Sequence, residues 1–200
     1  MIKIGLTGGI GSGKSTALSF FQECGFNVQD CDDIVAQIYQ SCENFRTNLL
    51  DRFSEVILTK GKIDKKKIAK IVFNDTDQLK WLNEQLHQRV RDEVKSNYQD
   101  KKINIVAVPL LHEAGWDKSF DAAVCVWCPD EMRIERLKER GFSPQESQSR
   151  IQAQMSQDEK LERSDYGIIN DFDIENLRAQ CLELSKNFKN YTKKQGCLNV

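Results

Sequence analysis

The segment Gly8-Gly9-Ile10-Gly11-Ser12-Gly13-Lys14-Ser15 satisfies the pattern G-x-x-x-x-G-K-[ST], which is the strongest indication of fold in the chain. It follows Lys3–Thr7, whose apolar residues predict a strand. It opens Lys14–Cys24, where apolar residues at helical spacing predict a helix that Gly25 would end. A strand, a glycine-rich loop and a helix in this order predict a phosphate-binding loop.

The residue types of this loop explain the chemistry. Glycines let the backbone turn so that successive N–H groups point at phosphate oxygens, and the helix N-terminus adds a favourable dipole. Lys14 brings a positive charge to the β- and γ-phosphates, and the Ser15 hydroxyl can ligate Mg²⁺. The alternative is a glycine turn without a ligand. We therefore expect the chain to bind a nucleoside triphosphate.

Beyond the loop, short apolar runs alternate with helical segments, which is typical of an α/β protein with a parallel sheet. Strands are predicted at Phe26–Gln29, Ile103–Val108, Ala122–Trp127 and Tyr166–Ile169, and helices at Asp130–Arg140 and Ile174–Asn187. Residues 33–100 lack a convincing central strand and predict an inserted helical lobe, with one helix near Asp77–Tyr98. The polar stretch around 140–160 predicts a mobile lid with Pro144 near a helix start, and residues 191–200 a loose tail.

Composition excludes several classes of protein. The 200 residues carry 29 Lys plus Arg against 30 Asp plus Glu, a net charge of −1, which argues against a dedicated nucleic-acid binder. No apolar run approaches the ~20 residues of a membrane helix, and Met1–Thr7 reaches the glycines too soon for a signal peptide. A cytoplasmic protein without an obligate protein partner is expected. Cys125 and Cys128 form a C-x-x-C but lie in a predicted strand, which favours buried cysteines over redox or metal chemistry.

Other motifs limit the reactions that could accompany triphosphate binding. No D-x-x-G or N-K-x-D motif occurs after the loop, which argues against a GTPase switch. The strand at Ile103–Val108 ends in Pro109–Glu113 with its acid displaced, unlike a motor ATPase. The acids nearest a strand end are Asp30 and Asp32. If their strand lies close to the first, one of them would face the γ-phosphate and act on an acceptor hydroxyl; alternatively, both only cap the helix near Asp33.

Three arginines share one face of the helix before the lid, since Arg133, Arg136 and Arg140 are spaced i, i+3 and i+7. A cation on a closing lid would neutralise charge on the transferred phosphoryl group and exclude water. We expect this role for Arg140, and ion pairing with glutamates on a solvated face for Arg133. The lysine-rich stretch Lys60–Lys70 is expected to be a solvated helix face.

In several segments together, the chain resembles the dephospho-coenzyme A kinase family. The matching segments are Ile4–Thr16, Asp30-Cys31-Asp32, Lys80-Trp81-Leu82-Asn83 with Leu86-His87, Val108–Leu111 with Glu113, the lid-flanking Arg136 and Arg140, and Gln152–Ser156. They extend from Met1 to about Leu184, essentially the whole chain. Two positions depart from the family pattern: Gln88 replaces a proline, and Ile168–Phe172 keeps Asn170 but loses an acid and a glycine.

The resemblance implies a P-loop kinase core like that of nucleoside-monophosphate kinases, with a five-stranded parallel sheet. It would form one domain from residues 1–32, 101–139 and 161–190, with a substrate lobe at 33–100 and a lid at 140–160. The implied reaction transfers the ATP γ-phosphate to the ribose 3′-hydroxyl of dephospho-coenzyme A, the final step of coenzyme A synthesis. Two alternatives stay open: a P-loop kinase for another small hydroxyl or nucleotide acceptor, and a nucleotide-dependent regulatory protein that hydrolyses ATP slowly.

The resemblance also implies a role for each matching residue. The catalytic residues would be Lys14, Asp32, Arg140 and Arg136. ATP would be bound by Gly9, Gly11, Ser12, Gly13, Lys14, Ser15, Thr16 and Asn170. Dephospho-coenzyme A would meet Asp32, Trp81, His87, Pro109, Leu110, Leu111 and Glu113. Mg²⁺ would be held by Ser15 and Asp32, partly through water.

Overall fold

A computed structural model describes residues 1–73 and 75–196, and the chain divides into two compact units. The core unit comprises Met1–Asp30 and the chain from Tyr98 onward, and the helical unit comprises Cys31–Asn97. The core unit contains β1 (Ile2–Thr7), α1 (Lys14–Glu23), β2 (Asn27–Asp30), β5 (Ile103–Ala107), β6 (Ala122–Trp127), α6 (Asp130–Glu139), α7 (Pro144–Gln152), α8 (Gln157–Glu162), β7 (Tyr166–Ile169) and α9 (Ile174–Gly196). The helical unit contains α2 (Cys31–Ser41), α3 (Glu43–Phe53), β3 (Leu58–Thr59), β4 (Lys62–Ile63), α4 (Lys65–Phe73) and α5 (Thr76–Ser96).

The core unit is built on a five-stranded sheet in the order β2-β5-β1-β6-β7. Every neighbouring pair is parallel, which confirms the predicted fold class. Strand β5 lies between β1 and β2, so the strand before Asp30 is not a neighbour of the strand before the phosphate loop. The register still aligns their ends, because Leu6 and Asp30 both pair with Ala107. Asp30 therefore lies at the same carboxyl edge of the sheet as the loop.

The core of this unit lies between the sheet and two helices. Helix α1 packs against β5 and α9, and their apolar side chains form one buried cluster with the strands. The members with almost no exposed surface include Ile4, Leu6, Phe21, Ile105, Val124 and Cys181. Gly25 adopts a φ of 86°, a left-handed conformation that ends α1 as predicted.

The segment from 140 to 160 folds as two helices. Ser143 accepts a hydrogen bond from the Glu146 N–H while the Glu146 carboxylate accepts one from the Ser143 N–H, and Pro144 occupies the first turn. The Ser156 hydroxyl caps α8 by accepting a hydrogen bond from the Glu159 N–H. Helix α7 packs against α6. The mobility of this lid stays a prediction.

The helical unit has its own core, in which α5 packs against α2 and α4. Phe45, Leu49 and Ile57 are among its fully buried side chains. The Asp75 carboxylate accepts hydrogen bonds from two N–H groups of the first turn of α5 and fixes where that helix begins. The small hairpin of β3 and β4 was not predicted; it turns at Lys60 and Gly61, whose φ values are 51° and 76°.

One predicted boundary was wrong. The tail was expected to begin at Tyr191, but α9 continues to Gly196, because no glycine or proline interrupts the chain from Ile174 to Gln195. Residues 197–200, the rest of the expected tail, lie outside the described part of the chain.

Candidate functional site

The phosphate loop connects the end of β1 to the start of α1. Gly8, Gly11 and Gly13 have φ values of 154°, 80° and 98°, which residues with a side chain rarely adopt. The first turn of α1 carries no acidic residue that would offset the positive end of its dipole. The loop therefore presents a helix N-terminus suited to an anion, at the edge of the sheet where ligands of open α/β folds bind.

Lys14 is the first residue of α1, and its side chain is almost fully buried. Its Nζ lies 3.4 Å from Asp30 Oδ2, and the Asp30 side chain is only 12% exposed. Asp30 is thus the carboxylate beside the loop lysine within the core unit. The sequence placed Asp30 among the candidates, but the family resemblance selected only Asp32.

The other residues that were predicted to bind the nucleotide differ in their exposure to solvent. Ser15 is exposed on the first turn of α1 and Thr16 is half-buried, so the Ser15 hydroxyl is open to a ligand. The Ser12 hydroxyl is buried and has no hydrogen-bond partner among the described residues. Asn170, at the end of β7, is buried and donates from Nδ2 to the Ser12 carbonyl at 2.7 Å. Asn170 therefore holds the loop backbone.

Helix α6 contacts the loop through two arginines. Arg133 was expected on a solvated face, and this was wrong: only 2% of the residue is exposed, and its Nε donates to the Ile10 carbonyl at 2.9 Å. Arg136 donates from Nη1 to the Gly11 carbonyl at 3.1 Å and to Cys128 Sγ at 3.3 Å. Arg140 is exposed just after the last residue of the helix. Of the three arginines, the outermost one is the one with a side chain free to meet a ligand from solvent.

The segment after β5 holds a buried ion pair. Lys160 of α8 has no exposed side-chain surface, and its Nζ lies 2.6 Å from Glu113 Oε1 and 2.9 Å from the Pro109 carbonyl. Glu113 Oε1 also accepts the Met155 N–H at 3.1 Å. Burial alone would raise the pKa of Glu113, but the bonds from Lys160 and Met155 outweigh it and hold that pKa below its usual value. Lys160 was missed because a lone lysine in a polar stretch carries no sign of burial.

Two leucines of this segment have opposite environments. Leu110 is 43% exposed, whereas Leu111 is fully buried against Gly5 of β1. A Cβ on Gly5 would lie 2.9 Å from Leu111 Cδ2, so this glycine makes room for the leucine. The prediction that Leu111 lines a substrate cleft therefore conflicts with its placement in the core, because a fully buried side chain has no surface to offer. For Leu110 and the half-buried Pro109, a place in the substrate cleft stays a prediction.

The remaining predicted substrate residues belong to the helical unit. Asp32 is exposed on the first turn of α2, with Asp33 beside it. Trp81 of α5 is half-buried, edge-on to Phe53, with the Arg52 guanidinium 5.4 Å from its ring centre.

His87 lies six residues further along α5. Partial burial, with a smaller contribution from the Arg91 charge, lowers its pKa and favours the neutral imidazole.

The cysteines of the C-x-x-C are buried, as expected. Burial raises the pKa of Cys125 to about 12, so it stays a thiol at neutral pH. Burial also raises the pKa of Cys128, against the opposing charge of Arg136. Within residues 1–73 and 75–196, no three His, Cys, Asp or Glu side chains gather as a metal site. The oxygen donors near the loop, the Ser15 hydroxyl and the Asp30 carboxylate, fit a hard cation that arrives with phosphates.

The described helices include none that is long and apolar enough to cross a membrane.

Comparison with known proteins connects this geometry to a family. The family model described as dephospho-CoA kinase matches residues 2–176. A dephospho-CoA kinase from Bacillus licheniformis is 35% identical over 198 residues, covering 95% of this chain and 98% of that protein. One from Carboxydothermus hydrogenoformans is 37% identical over 193 residues, covering 93% of this chain and 94% of that protein.

Solved structures agree with the fold. A crystal structure from Thermus thermophilus superposes with a TM-score of 0.81 at 33% identity, covering 92% of this chain and 97% of that one. A shikimate kinase from Bacteroides thetaiotaomicron superposes with a TM-score of 0.58 at 13% identity, covering 94% and 98%, and shows the fold alone. In sequence the chain is thus similar to dephospho-CoA kinases over nearly its whole length, and in fold it is also similar to this shikimate kinase.

Proposed function

The chain belongs to the dephospho-CoA kinase family, and we propose how its residues carry out the reaction of that family. The enzyme transfers the γ-phosphoryl group of ATP to the ribose 3′-hydroxyl of dephospho-coenzyme A and releases coenzyme A and ADP. The observation that carries the proposal is the loop with Lys14 at the start of α1, within a chain matched over residues 2–176. Both substrates follow from the family; the residue roles are our assignment.

The nucleotide end of the reaction is assigned to the loop. Lys14 binds the β- and γ-phosphates. The loop surrounds these phosphates with its backbone amides, and the loop residues assigned to ATP are Gly9, Gly11, Ser12, Gly13 and Thr16. When the nucleotide arrives, Lys14 exchanges its 3.4 Å contact with Asp30 for phosphate oxygens. Asp30 then lies next to the lysine that holds the reacting group, which supports a role in orienting it. Asn170 acts on the nucleotide through the loop backbone.

P-loop kinases that use ATP generally need a divalent metal ion, and we propose Mg²⁺ here. The Ser15 hydroxyl and Asp32, partly through water, would hold it, with the phosphates supplying further oxygens. The bound ion would neutralise phosphate charge. The protein's own oxygen donors are few, which fits an ion that is bound mainly by the nucleotide.

The acceptor end is assigned to Asp32 and the two arginines. The exposed Asp32 carboxylate accepts the proton of the 3′-hydroxyl as that oxygen attacks phosphorus, and the bond from the γ-phosphorus to the β–γ bridging oxygen breaks. Arg140 stabilises the charge on the moving phosphoryl group. Arg136, bound to the Gly11 carbonyl, supports the loop behind it. Positioning and electrostatics supply most of the rate.

The rest of the acceptor would be bound by Trp81, His87, Pro109 and Leu110. An aromatic ring with an arginine on its face, as at Trp81, and a neutral imidazole at His87 suit a substrate with a base and a pantetheine chain. Glu113 is already bound to Lys160, so we assign it to shaping this segment instead of contacting substrate. We also propose a cytoplasmic location, where ATP is supplied; cell fractionation tests it.

An acceptor panel tests the proposal. Purified protein with Mg-ATP is offered dephospho-coenzyme A, adenosine, a nucleoside monophosphate, pantetheine or no acceptor, and products are identified by mass spectrometry. We expect a new phosphoryl group only on dephospho-coenzyme A, with ADP formed in equal amount. Phosphorylation of another acceptor instead would favour a kinase of different specificity, and equal ADP without acceptor would favour a slow hydrolase.

A further inference from the structure

The outer half of the phosphate loop is held on both sides of its backbone by side chains from elsewhere in the core unit. On the carbonyl side, Arg133, Arg136 and Asn170 donate to Ile10, Gly11 and Ser12 in turn. On the amide side, the Gly9 N–H donates to Gln157 Oε1 at 2.9 Å and the Ile10 N–H donates to Gln154 Oε1 at 2.9 Å. The loop is thus constrained without any nucleotide contact.

Of the side chains that hold the loop, three are buried: Asn170, Arg133 and Gln157. Arg133 is 2% exposed and Gln157 is 5% exposed. Arg133 also forms a 2.7 Å ion pair with Asp130, whose side chain is 57% exposed, so its charge keeps a partner at the surface. A buried guanidinium and a buried carboxamide are costly to place in a protein, and each is stabilised here by the loop backbone.

Two glycines of the loop are explained by these neighbours. A Cβ on Gly9 would lie 2.5 Å from Arg133 Nη2 and 3.2 Å from the Gln157 carboxamide carbon. A Cβ on Gly11 would lie 3.1 Å from the Arg133 carbonyl oxygen. Gly9 and Gly11 therefore let Arg133 and α6 approach the loop, a requirement separate from phosphate binding.

We propose that Arg133 and Gln157 are positioning residues that set the loop in its phosphate-binding shape before nucleotide binds. By anchoring Gly9 and Ile10, they leave the following amides, at the start of α1, oriented toward the phosphates. The loop then loses less conformational freedom on binding, so the contribution is to affinity for di- and triphosphates. The inference rests on the proposed function, because it takes the loop to be the nucleotide site.

Replacing Gln157 by methionine tests the inference, because the side chains have similar shape and methionine lacks the amide oxygen. We expect Gln157→Met to weaken ADP binding by about 10-fold, because a loop that is no longer anchored at Gly9 loses about one residue's worth of additional backbone freedom when ADP binds. Binding of AMP, which has no β-phosphate, should change by less than about 2-fold. The KM for ATP should rise with the Kd for ADP, while the KM for dephospho-coenzyme A stays unchanged. Calorimetry without acceptor and steady-state kinetics measure these quantities.

Matched variants separate positioning from general stability. Gln157→Glu keeps an acceptor for the Gly9 N–H and should bind ADP more tightly than Gln157→Met, although its added negative charge should keep the affinity below that of the wild type. Gln148→Met, on the exposed surface of α7, should behave as the wild type. Arg133→Lys keeps the charge but loses the Nε donor to Ile10, and should weaken ADP binding as Gln157→Met does, whereas Arg163→Lys at an exposed ion pair should not.

The outcomes distinguish the inference from the proposed function. If wild type binds ADP and both Gln157→Met and Arg133→Lys bind it equally well, the inference is overturned and the function stands. If the variants lose ADP and AMP binding by the same factor together with a large fall in Tm, the residues are only structural and the inference is overturned. If wild type binds no ADP, the loop is not the nucleotide site and both fall.

Discussion

The buried ion pair between Lys160 and Glu113 makes a strong prediction about stability. Replacing Lys160 by methionine removes a charge that has no exposed surface and leaves the Glu113 carboxylate, 22% exposed, with the Met155 N–H. The Pro109 carbonyl also loses its 2.9 Å donor. Breaking a buried pair by removing one partner costs roughly 3–5 kcal/mol, because the other charge is left uncompensated. For a chain of 200 residues this corresponds to a fall in Tm of roughly 6–20 °C.

The same change should alter the pH dependence of stability. In the wild type the pKa of Glu113 is lowered by folding. The ionised Glu113 therefore contributes to stability above its pKa in the unfolded chain, and this contribution is lost as the pH falls through its pKa in the folded chain. In Lys160→Met, the contributions of Lys160 that lower the pKa of Glu113 are lost while burial, the largest single influence, remains, so we expect that pKa to rise and the ionised form to oppose folding at neutral pH. The difference in free energy of unfolding between the two proteins should therefore be largest near pH 7 and shrink toward pH 4.

Urea unfolding of both proteins at pH 7 and pH 4 measures this difference. Arg163→Met is the matched control, because its ion pair with Glu159 is exposed on both sides and should contribute under about 1 kcal/mol. The double variant Lys160→Met with Glu113→Leu should recover part of the loss, since no unpaired charge remains. A loss for Lys160→Met below about 1 kcal/mol at pH 7, or one equal at both pH values, would refute this account of the pair.

Four further predictions concern the site. Lys14→Ala should abolish turnover and weaken ATP binding in a filter or calorimetric assay; near-normal activity would remove the loop from the mechanism. Asp32→Asn keeps the shape without the base and should lower kcat by at least ~10² with unchanged Tm; a normal kcat would make Asp32 a helix-cap residue only. Arg140→Ala should lose about 10³ in kcat, as other arginines that meet a transferred phosphoryl group do; unchanged kinetics would leave it a solvated side chain. Gly13→Ala should prevent measurable ADP binding, because its φ of 98° disfavours a side chain and the new Cβ would clash with Asn170 Nδ2; ADP affinity within about 2-fold of the wild type would refute this.

The fold could be predicted from local signals that depend little on context. The apolar runs Ile103–Val108 and Ala122–Trp127 are short and β-rich, and buried parallel strands have this pattern. Strand order was not available from such signals. Placing β5 between β1 and β2 depends on how the chain crosses over after Asn97, and no run of residues encodes that choice.

The environment of individual site residues was harder to predict. Arg133, Arg136 and Arg140 share a helix face, but only the packing of α6 on the loop decides which is buried, and helical spacing contains no information about that neighbour. The same holds for Lys160, whose partner Glu113 is 47 residues away in sequence. Lysine is so rarely buried that exposure is the correct expectation without the structure.

One signal for the buried arginine was nevertheless present in the loop. The pattern G-x-x-x-x-G-K-[ST] requires glycine only at Gly8 and Gly13, so it does not explain why positions 9 and 11 are also glycine. Both were attributed to phosphate binding, yet a Cβ on Gly9 would lie 2.5 Å from Arg133 Nη2 and one on Gly11 would lie 3.1 Å from the Arg133 carbonyl oxygen. A glycine in excess of what a loop's ligand demands therefore indicates close approach by another part of the chain. Here that part is α6, and Arg133, the first of the three arginines on one face of this helix, is the residue that contacts the loop.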